Sequence, residues 1–115
     1  GSFTNLTALH LDRNLLTFLP SSMGNLTKLV TLTLDGNELK DPPSEILMLA
    51  EQNTQEIVVY LEKIRQAERT NALNLDGYLL RSVPYSVFLL TDLTSLSLVE
   101  NHITEIPPLL ATLTN

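Results

Sequence analysis

The sequence LTALHLDRNLLTFLPSSMGNL, residues 6–26, decides the fold because its apolar positions return 23 residues later. In this first copy the recurring positions are Leu6, Leu9, Leu11, Asn14, Leu16, Leu19, Pro20, Met23 and Leu26. In the second copy they are Leu29, Leu32, Leu34, Asn37, Leu39, Pro42, Pro43, Ile46 and Leu49. Self-similarity at a fixed period of this length is the signature of a repeat architecture.

The same series appears twice more towards the C-terminus. The third copy keeps Leu73, Leu75, Leu80, Val83, Pro84, Val87 and Leu90, but Thr70 stands at the leading leucine and Tyr78 replaces the asparagine. The fourth copy keeps all nine positions, from Leu93 to Leu113, with Asn101 as its asparagine. We therefore predict one domain, 3–115, with repeats at 6–28, 29–51, 70–92 and 93–115 and an insertion at 52–69.

The spacing of these residues resembles a known family. The pattern L-x-x-L-x-L-x-x-N-x-L, which begins here at Leu6, is that of the leucine-rich-repeat family. The 23-residue period with Leu-Pro or Ile-Pro after the asparagine is similar to the intracellular Ras-suppressor, Scribble and Roco type. The resemblance implies an α/β fold, a leucine-rich-repeat solenoid with short parallel strands on its concave face.

The residues themselves support that architecture. Leu9 and Leu11 alternate with His10, so a short strand buries two leucines and exposes the residue between them. Stacking the copies would align their strands into a parallel sheet and pile their leucines into one interior. Asn14, Asn37 and Asn101 follow the strands, where an amide can satisfy backbone groups in the bend. We predict a structural role for these asparagines.

The insertion has a helical period instead of the repeat period. Its apolar residues share one helical face: Ile57, Tyr60, Leu61, Ile64 and Ala67. Asn53 followed by Glu56 is a plausible capping box, so we predict an inserted amphipathic helix. It is either a linker between blocks or a long loop on the solenoid's back. Because the repeat phase is kept on both sides, we predict that the strand at Leu73–Leu75 pairs in parallel with the strand at Leu32–Leu34, with the helix pushed outward.

The outward positions of the strands form the candidate partner-binding surface. They are His10, Asp12, Arg13, Thr31, Thr33, Asp35, Asn74, Asp76, Ser95, Ser97, Val99 and Glu100. In a continuous sheet they would tile one concave face. Asp12, Asp35 and Asp76 share a phase, so a basic peptide is the charge-complementary ligand. The alternative is that aspartate is an ordinary residue at the exit of a repeat strand.

Composition excludes several classes of function. Thirteen acidic against seven basic residues give a net charge of −6, which disfavours nucleic acid as a partner. No apolar run approaches the roughly 20 residues of a membrane helix, and no signal-peptide pattern opens the chain. The absence of cysteine favours the cytoplasm. No catalytic motif, metal-ligand spacing or cofactor loop occurs, so we expect neither an enzyme nor a metal or cofactor site.

These observations favour a protein–protein interaction scaffold. The alternatives are a regulatory leucine-rich-repeat segment of a larger signalling enzyme, such as a Roco-type GTPase or kinase, and a recognition segment inside a ligase or kinase. We also predict a homodimer, since open repeat ends recruit strands. Its contacts would lie at the ends, around Leu9 or around Leu109, Leu110 and Leu113, or on the inserted helix around Tyr60 and Ile64.

Overall fold

The computed structural model describes residues 5–103, in which short strands alternate with helices. In chain order the elements are β1 (Ala8–His10), a 3-10 helix (Ser21–Asn25), β2 (Thr31–Thr33), α1 (Ser44–Ala50), α2 (Gln55–Thr70), β3 (Ala72–Asn74), α3 (Tyr85–Leu89) and β4 (Ser95–Ser97). The predicted α/β class is confirmed. The helix predicted from the insertion is α2.

The strands form two separate two-stranded sheets. β1 pairs in parallel with β2, with Leu9 opposite Leu32. β3 pairs in parallel with β4, with Leu73 opposite Leu96. The middle leucine of each strand points inward and the residues before it are exposed, as the alternation predicts. We call residues 5–50 the first block and residues 71–103 the second block.

The two blocks repeat each other at an offset of 64 residues, as from Asp12 to Asp76. The Arg13 N–H donates to the Asp35 carbonyl at 2.7 Å, and the Gly77 N–H donates to the Val99 carbonyl at 2.9 Å. Left-handed backbone also recurs at this offset, at Arg13 and Gly77, at Leu15 and Leu79, and at Gly36 and Glu100. Each block is therefore the same two-strand unit.

The predicted pairing of β2 with β3 is wrong, because side chains of α2 occupy the edge of β3 that β2 would need. The Lys63 Nζ donates to the Asn74 carbonyl at 3.4 Å, and the Thr70 hydroxyl oxygen accepts from the Ala72 N–H at 3.3 Å. The two sheets share no strand pairing within residues 5–103. The backbone groups at this edge of β3 are thus hydrogen-bonded to side chains of α2 instead of to a strand.

Helix α2 is part of the core and is not pushed outward. Its buried residues are Ile57, Val58, Tyr60, Leu61, Ile64 and Ala67. Tyr60 is 0% exposed and Ile64 is 5% exposed, so the expected dimer contact around these two residues is also wrong. The terminal residues Leu109, Leu110 and Leu113 of the other expected contact lie outside the described residues.

The capping box predicted at Asn53 and Glu56 is not formed, because the N-cap of α2 is Thr54, whose side chain makes no capping hydrogen bond. The Asn53 side chain accepts a hydrogen bond from the Gln55 N–H at 3.1 Å. The Asn53 N–H donates to the Leu49 carbonyl and not to the Glu56 side chain, so the reciprocal half of the capping box is not formed. Gln55 then fixes the helix to the first block, because its Nε2 donates to the Leu29 carbonyl at 2.7 Å.

Helix α2 passes very close to the 3-10 helix of the first block. A Cβ atom on Gly24 would lie 2.6 Å from the Glu62 Cα. Because that neighbour is backbone, it cannot rotate away as a flexible side chain would. Glycine at this position is what lets the two helices touch.

A buried aspartate joins the first block, α2 and the second block. The Tyr60 hydroxyl donates to the Asp41 Oδ1 at 2.7 Å, and the Ser86 N–H donates to the Asp41 Oδ2 at 2.7 Å. Asp41 is 2% exposed. Burial, and after it the nearby Asp41 carboxylate, raise the pKa of the Tyr60 hydroxyl, which therefore keeps its proton for this bond.

Two further contacts hold the blocks together at the surface. The Glu45 carboxylate in α1 accepts a hydrogen bond from the Arg81 N–H at 2.8 Å. The rings of Phe18 and Tyr85 lie 5.3 Å apart, at a tilted angle of 56°. Both contacts join the first block directly to the second.

We predict that Gly24→Ala destabilises the chain by about 1–3 kcal/mol, because the added methyl group overpacks the contact with α2. Urea unfolding followed by circular dichroism measures the change. Ser22→Ala, an exposed site in the same 3-10 helix, is the matched control and should change the free energy of unfolding by less than about 0.5 kcal/mol. Equal effects of the two variants would contradict the close approach of α2.

We predict that Tyr60→Phe costs about 1–3 kcal/mol, because it leaves a buried oxygen of Asp41 without a donor. Tyr78→Phe is the control, since the Tyr78 hydroxyl makes no hydrogen bond to any residue from 5 to 103. Thermal and urea unfolding of both variants give the comparison. If the two losses of stability are the same, the bond to Asp41 does not have the importance assigned to it.

Candidate binding surface

The structure divides the predicted surface residues between two faces. The first-block face contains His10, Asp12, Arg13, Thr31, Thr33 and Asp35. The second-block face contains Asn74, Asp76, Ser95, Ser97, Val99 and Glu100. A single face would require one continuous sheet, and β2 and β3 do not pair. The predicted site is therefore two equivalent faces.

The polar side chains of the first-block face form a hydrogen-bonded network. The Asp12 Oδ2 accepts from the Thr33 hydroxyl at 3.0 Å, and its Oδ1 accepts from the Asp35 N–H at 2.8 Å. The His10 Nδ1 lies 2.9 Å from the Thr33 Oγ1. Since the Thr33 proton goes to Asp12, we assign the His10 Nδ1 as the donor. The network holds exposed side chains in fixed orientations.

The second-block face repeats this network. The Asp76 Oδ1 accepts from the Ser97 hydroxyl at 2.6 Å and from the Val99 N–H at 2.7 Å. The bond from Ser97 is the main reason why the pKa of Asp76 is lowered, and the Val99 N–H adds to the effect. Asp12 and Asp76 therefore bind the next strand of their own block. This agrees with the alternative that aspartate is an ordinary residue at the exit of a repeat strand.

Asp35 differs from the other two aspartates although it has the same phase. Its N–H is bonded to Asp12, but its carboxylate meets no hydrogen-bond donor among residues 5–103. Asp35 is exposed and follows β2, the last strand of the first block, so no further strand of that block receives its side chain. Its charge faces solvent.

The predicted structural role of the asparagines is confirmed for Asn37 and Asn101. The Asn37 Oδ1 accepts from the N–H groups of Asn14 and Leu16, and its Nδ2 donates to the carbonyls of Leu11 and Leu34. Asn101 makes the same four contacts with Tyr78, Leu80, Leu75 and Leu98. Each amide thus reaches back to the preceding repeat. Within residues 5–103 no repeat comes before Asn14, and in this range its side chain donates to the nearby Asp12 carbonyl.

Tyr78 replaces asparagine because the third copy follows a helix and not a strand. An amide at this position would find no strand carbonyl on the side of α2. The Tyr78 ring instead packs edge-on against Tyr60, with ring centres 6.4 Å apart. The Lys63 Nζ lies 5.7 Å from the centre of the Tyr78 ring. The departure from the repeat pattern thus marks the place where the sheet is interrupted.

A groove between α2 and β3 was not foreseen from the sequence. It encloses about 310 Å³ and is lined by the 3-10 helix at Gly24, by Val59 and Lys63 of α2, and by Ala72 and Asn74 of β3. Among residues 5–103, no three histidine or acidic side chains converge as metal ligands. Nor does any helix in this range have the length and apolar character needed to cross a bilayer.

Short parallel strands joined by asparagine ladders define a repeat protein. Residues 5–26 and 92–113, which contain the recurring positions of the first and fourth copies, match the sequence model of the Leucine Rich Repeat family. These two stretches of the chain are therefore similar to leucine-rich repeats. No curated protein and no solved structure matches it. The more specific intracellular 23-residue type stays a prediction.

We predict that Asp76 stabilises the fold at neutral pH and stops doing so in acid. Its pKa lies below the ordinary value of 3.8, so its contribution is present above the unfolded-state pKa and is lost as pH falls through the lowered folded-state pKa. Urea unfolding of the wild type and of Asp76→Asn, from neutral pH to about pH 2, measures this. The stability difference between them should shrink towards zero in acid.

Glu51→Gln, an exposed substitution between α1 and α2, is the control for that pH series. It should track the wild type at every pH. A constant difference between the wild type and Asp76→Asn across the series would contradict the assigned role of the carboxylate.

Proposed function

We propose that this chain is a protein–protein interaction scaffold that presents its two strand faces to a partner protein or peptide. The observation that carries the proposal is the pair of hydrogen-bonded networks, His10–Thr33–Asp12 and Ser97–Asp76–Asn74, on exposed strands. Leucine-rich repeats generally mediate protein–protein interaction, which agrees with this reading.

The orientation of these side chains favours recognition. Threonine and serine lose few rotamers on binding, and the networks fix them before a partner arrives. A surface that is already ordered loses less conformational entropy when it forms a complex. The faces are therefore suited to reading a partner's polar groups.

The area of the faces limits how tightly they can bind. Two three-residue strands spaced at about 4.8 Å present on the order of 100 Å² per sheet. A stable specific interface needs roughly 800 Å² from each partner. We propose that each block is a piece of a solenoid and that a tight partner also contacts flanking loops or further repeats.

The charge of the surface favours a basic peptide. The chain carries a net charge of −6, and the exposed carboxylates of Asp35 and Glu100 end the strand region of the two blocks. Neither carboxylate accepts a hydrogen bond from residues 5–103. Lysine or arginine side chains of a partner would meet acceptors there, in a contact that salt would weaken.

The proposal includes no catalytic role. The carboxylates of Asp12 and Asp76 are already engaged by hydrogen-bond donors, and no histidine lines the groove beside β3. A cytoplasmic location remains part of the proposal, on the absence of cysteine. No contact of the described residues favours a regulatory segment of a signalling enzyme.

We predict that Asp35→Asn weakens the binding of a basic probe peptide of alternating lysine and serine and flattens its salt dependence. Fluorescence anisotropy at low and high salt measures both quantities. Glu51→Gln changes the net charge by the same amount at a position remote from the strands and serves as the matched control. If both variants weaken the peptide equally, net charge and not the face attracts it, and the proposed site is wrong.

A further inference from the structure

We propose that two copies of this chain pair through the open edge of β2, antiparallel and around a two-fold axis. The pairing would join two two-stranded sheets into one sheet of four strands. It does not depend on whether the strand faces bind a partner protein.

The second edge of β2 has no partner within the described part of the chain. The backbone groups of Thr31 and Thr33 point towards β1, since the Thr31 N–H donates to the Thr7 carbonyl and the Thr33 carbonyl accepts from the Leu11 N–H. Alternate residues of a strand point to opposite neighbours, so the Leu32 N–H and carbonyl and the Leu34 N–H face away from β1. None of these three groups bonds to a strand among residues 5–103.

The corresponding edge of β3 shows what a blocked edge looks like in this fold. There Lys63 donates to the Asn74 carbonyl, and the Thr70 hydroxyl oxygen accepts from the Ala72 N–H. The leucines of that strand, Leu73 and Leu75, are 4% and 0% exposed. Leu32 and Leu34 remain only partly buried. The edge of β2 thus has both free backbone groups and apolar surface that an added strand would cover.

The sequence of β2 carries none of the usual protection of an edge strand. Natural edges are blunted by charged residues, especially lysine, or by proline. Residues 30–34 read VTLTL, with strict alternation, no charge and no proline. Val30 is 71% exposed. Uncharged segments of high β propensity are those that accept a further strand.

The charges beside β2 identify a second copy as the occupant. Lys28 precedes the strand and Asp35 follows it, and both are exposed. Antiparallel pairing centred on Leu32 places each Lys28 opposite the partner's Gly36 and so next to the partner's Asp35, whereas a parallel strand of the same sequence in register would bring like charges together. Leu32 then lies opposite Leu32 of the second molecule. A two-fold contact of this kind closes on itself and gives a dimer and not a fibre.

Sedimentation velocity over a range of concentrations tests the proposal, with Thr31→Lys as the disrupting variant. Thr31 is exposed on the strand, so a lysine there need not disturb the core. Ser95→Lys places the same charge at the equivalent position of β4 and is the matched control. We expect a monomer–dimer equilibrium whose dissociation constant rises at least about tenfold, or about 1.4 kcal/mol, in Thr31→Lys and is unchanged in Ser95→Lys. Circular dichroism confirms that both variants are folded.

A charge exchange gives a second, independent readout. Lys28→Glu and Asp35→Lys should each weaken the dimer, and the double variant should restore it, because the two ends of the strand are then opposite in sign again. A monomer at high micromolar concentration, a dimer that Thr31→Lys leaves intact, or a double variant weaker than either single one would each overturn the proposed pairing.

Discussion

The arrangement of the described chain depends on the buried carboxyl group of Asp41. Asp41 belongs to the first block, one of its donors belongs to α2, and the other belongs to α3 of the second block. A buried carboxyl group that loses a donor costs more than the bond itself is worth, because its desolvation is then uncompensated. All three parts of the chain must therefore be in place together. Apolar packing is not directional, so this contact, together with the bond from Gln55 to the Leu29 carbonyl, fixes the position of α2.

Once α2 is fixed there, the sheet cannot be continuous. Gly24 lets the helix approach the first block closely, and Lys63 meets the edge of β3 on the other side. The third copy then starts a new unit and does not continue the first. Tyr78 is the residue in the sequence that marks this interruption. Its aromatic ring packs on Tyr60 of α2, a contact that exists only where a helix precedes the repeat.

The sequence predicted the parts of the fold that depend on the contents of one repeat or of two neighbours. Leu9 and Leu32 lie in strands, Asn37 and Asn101 form ladders, and the helical period gave α2. The pairing of β2 with β3 was predicted wrongly. The spacing of the repeats predicts where the strands lie, but it does not predict which element packs against the edge of a strand. A signal was present. Val58 is 2% exposed and lies off the single apolar stripe, and the unbroken run IVVYL, residues 57–61, is typical of a helix buried on more than one side.

The aspartates show why the candidate site was harder to predict than the fold. Asp12, Asp35 and Asp76 share one repeat position, yet only Asp12 and Asp76 are followed by a strand of their own block, whose N–H groups and hydroxyls occupy their carboxylates. Asp35 occupies the same repeat position, but its carboxylate accepts no hydrogen bond from residues 5–103, because β2 is the last strand of its block. An aspartate at this repeat position has a structural role between two strands and is available to a partner after the last strand. Carboxylates that can contact a partner therefore lie where a sheet ends. The position of α2 decides which copy carries the last strand of a sheet. This helix lies far from the aspartate in sequence, so one repeat taken alone does not predict whether its aspartate is available to a partner.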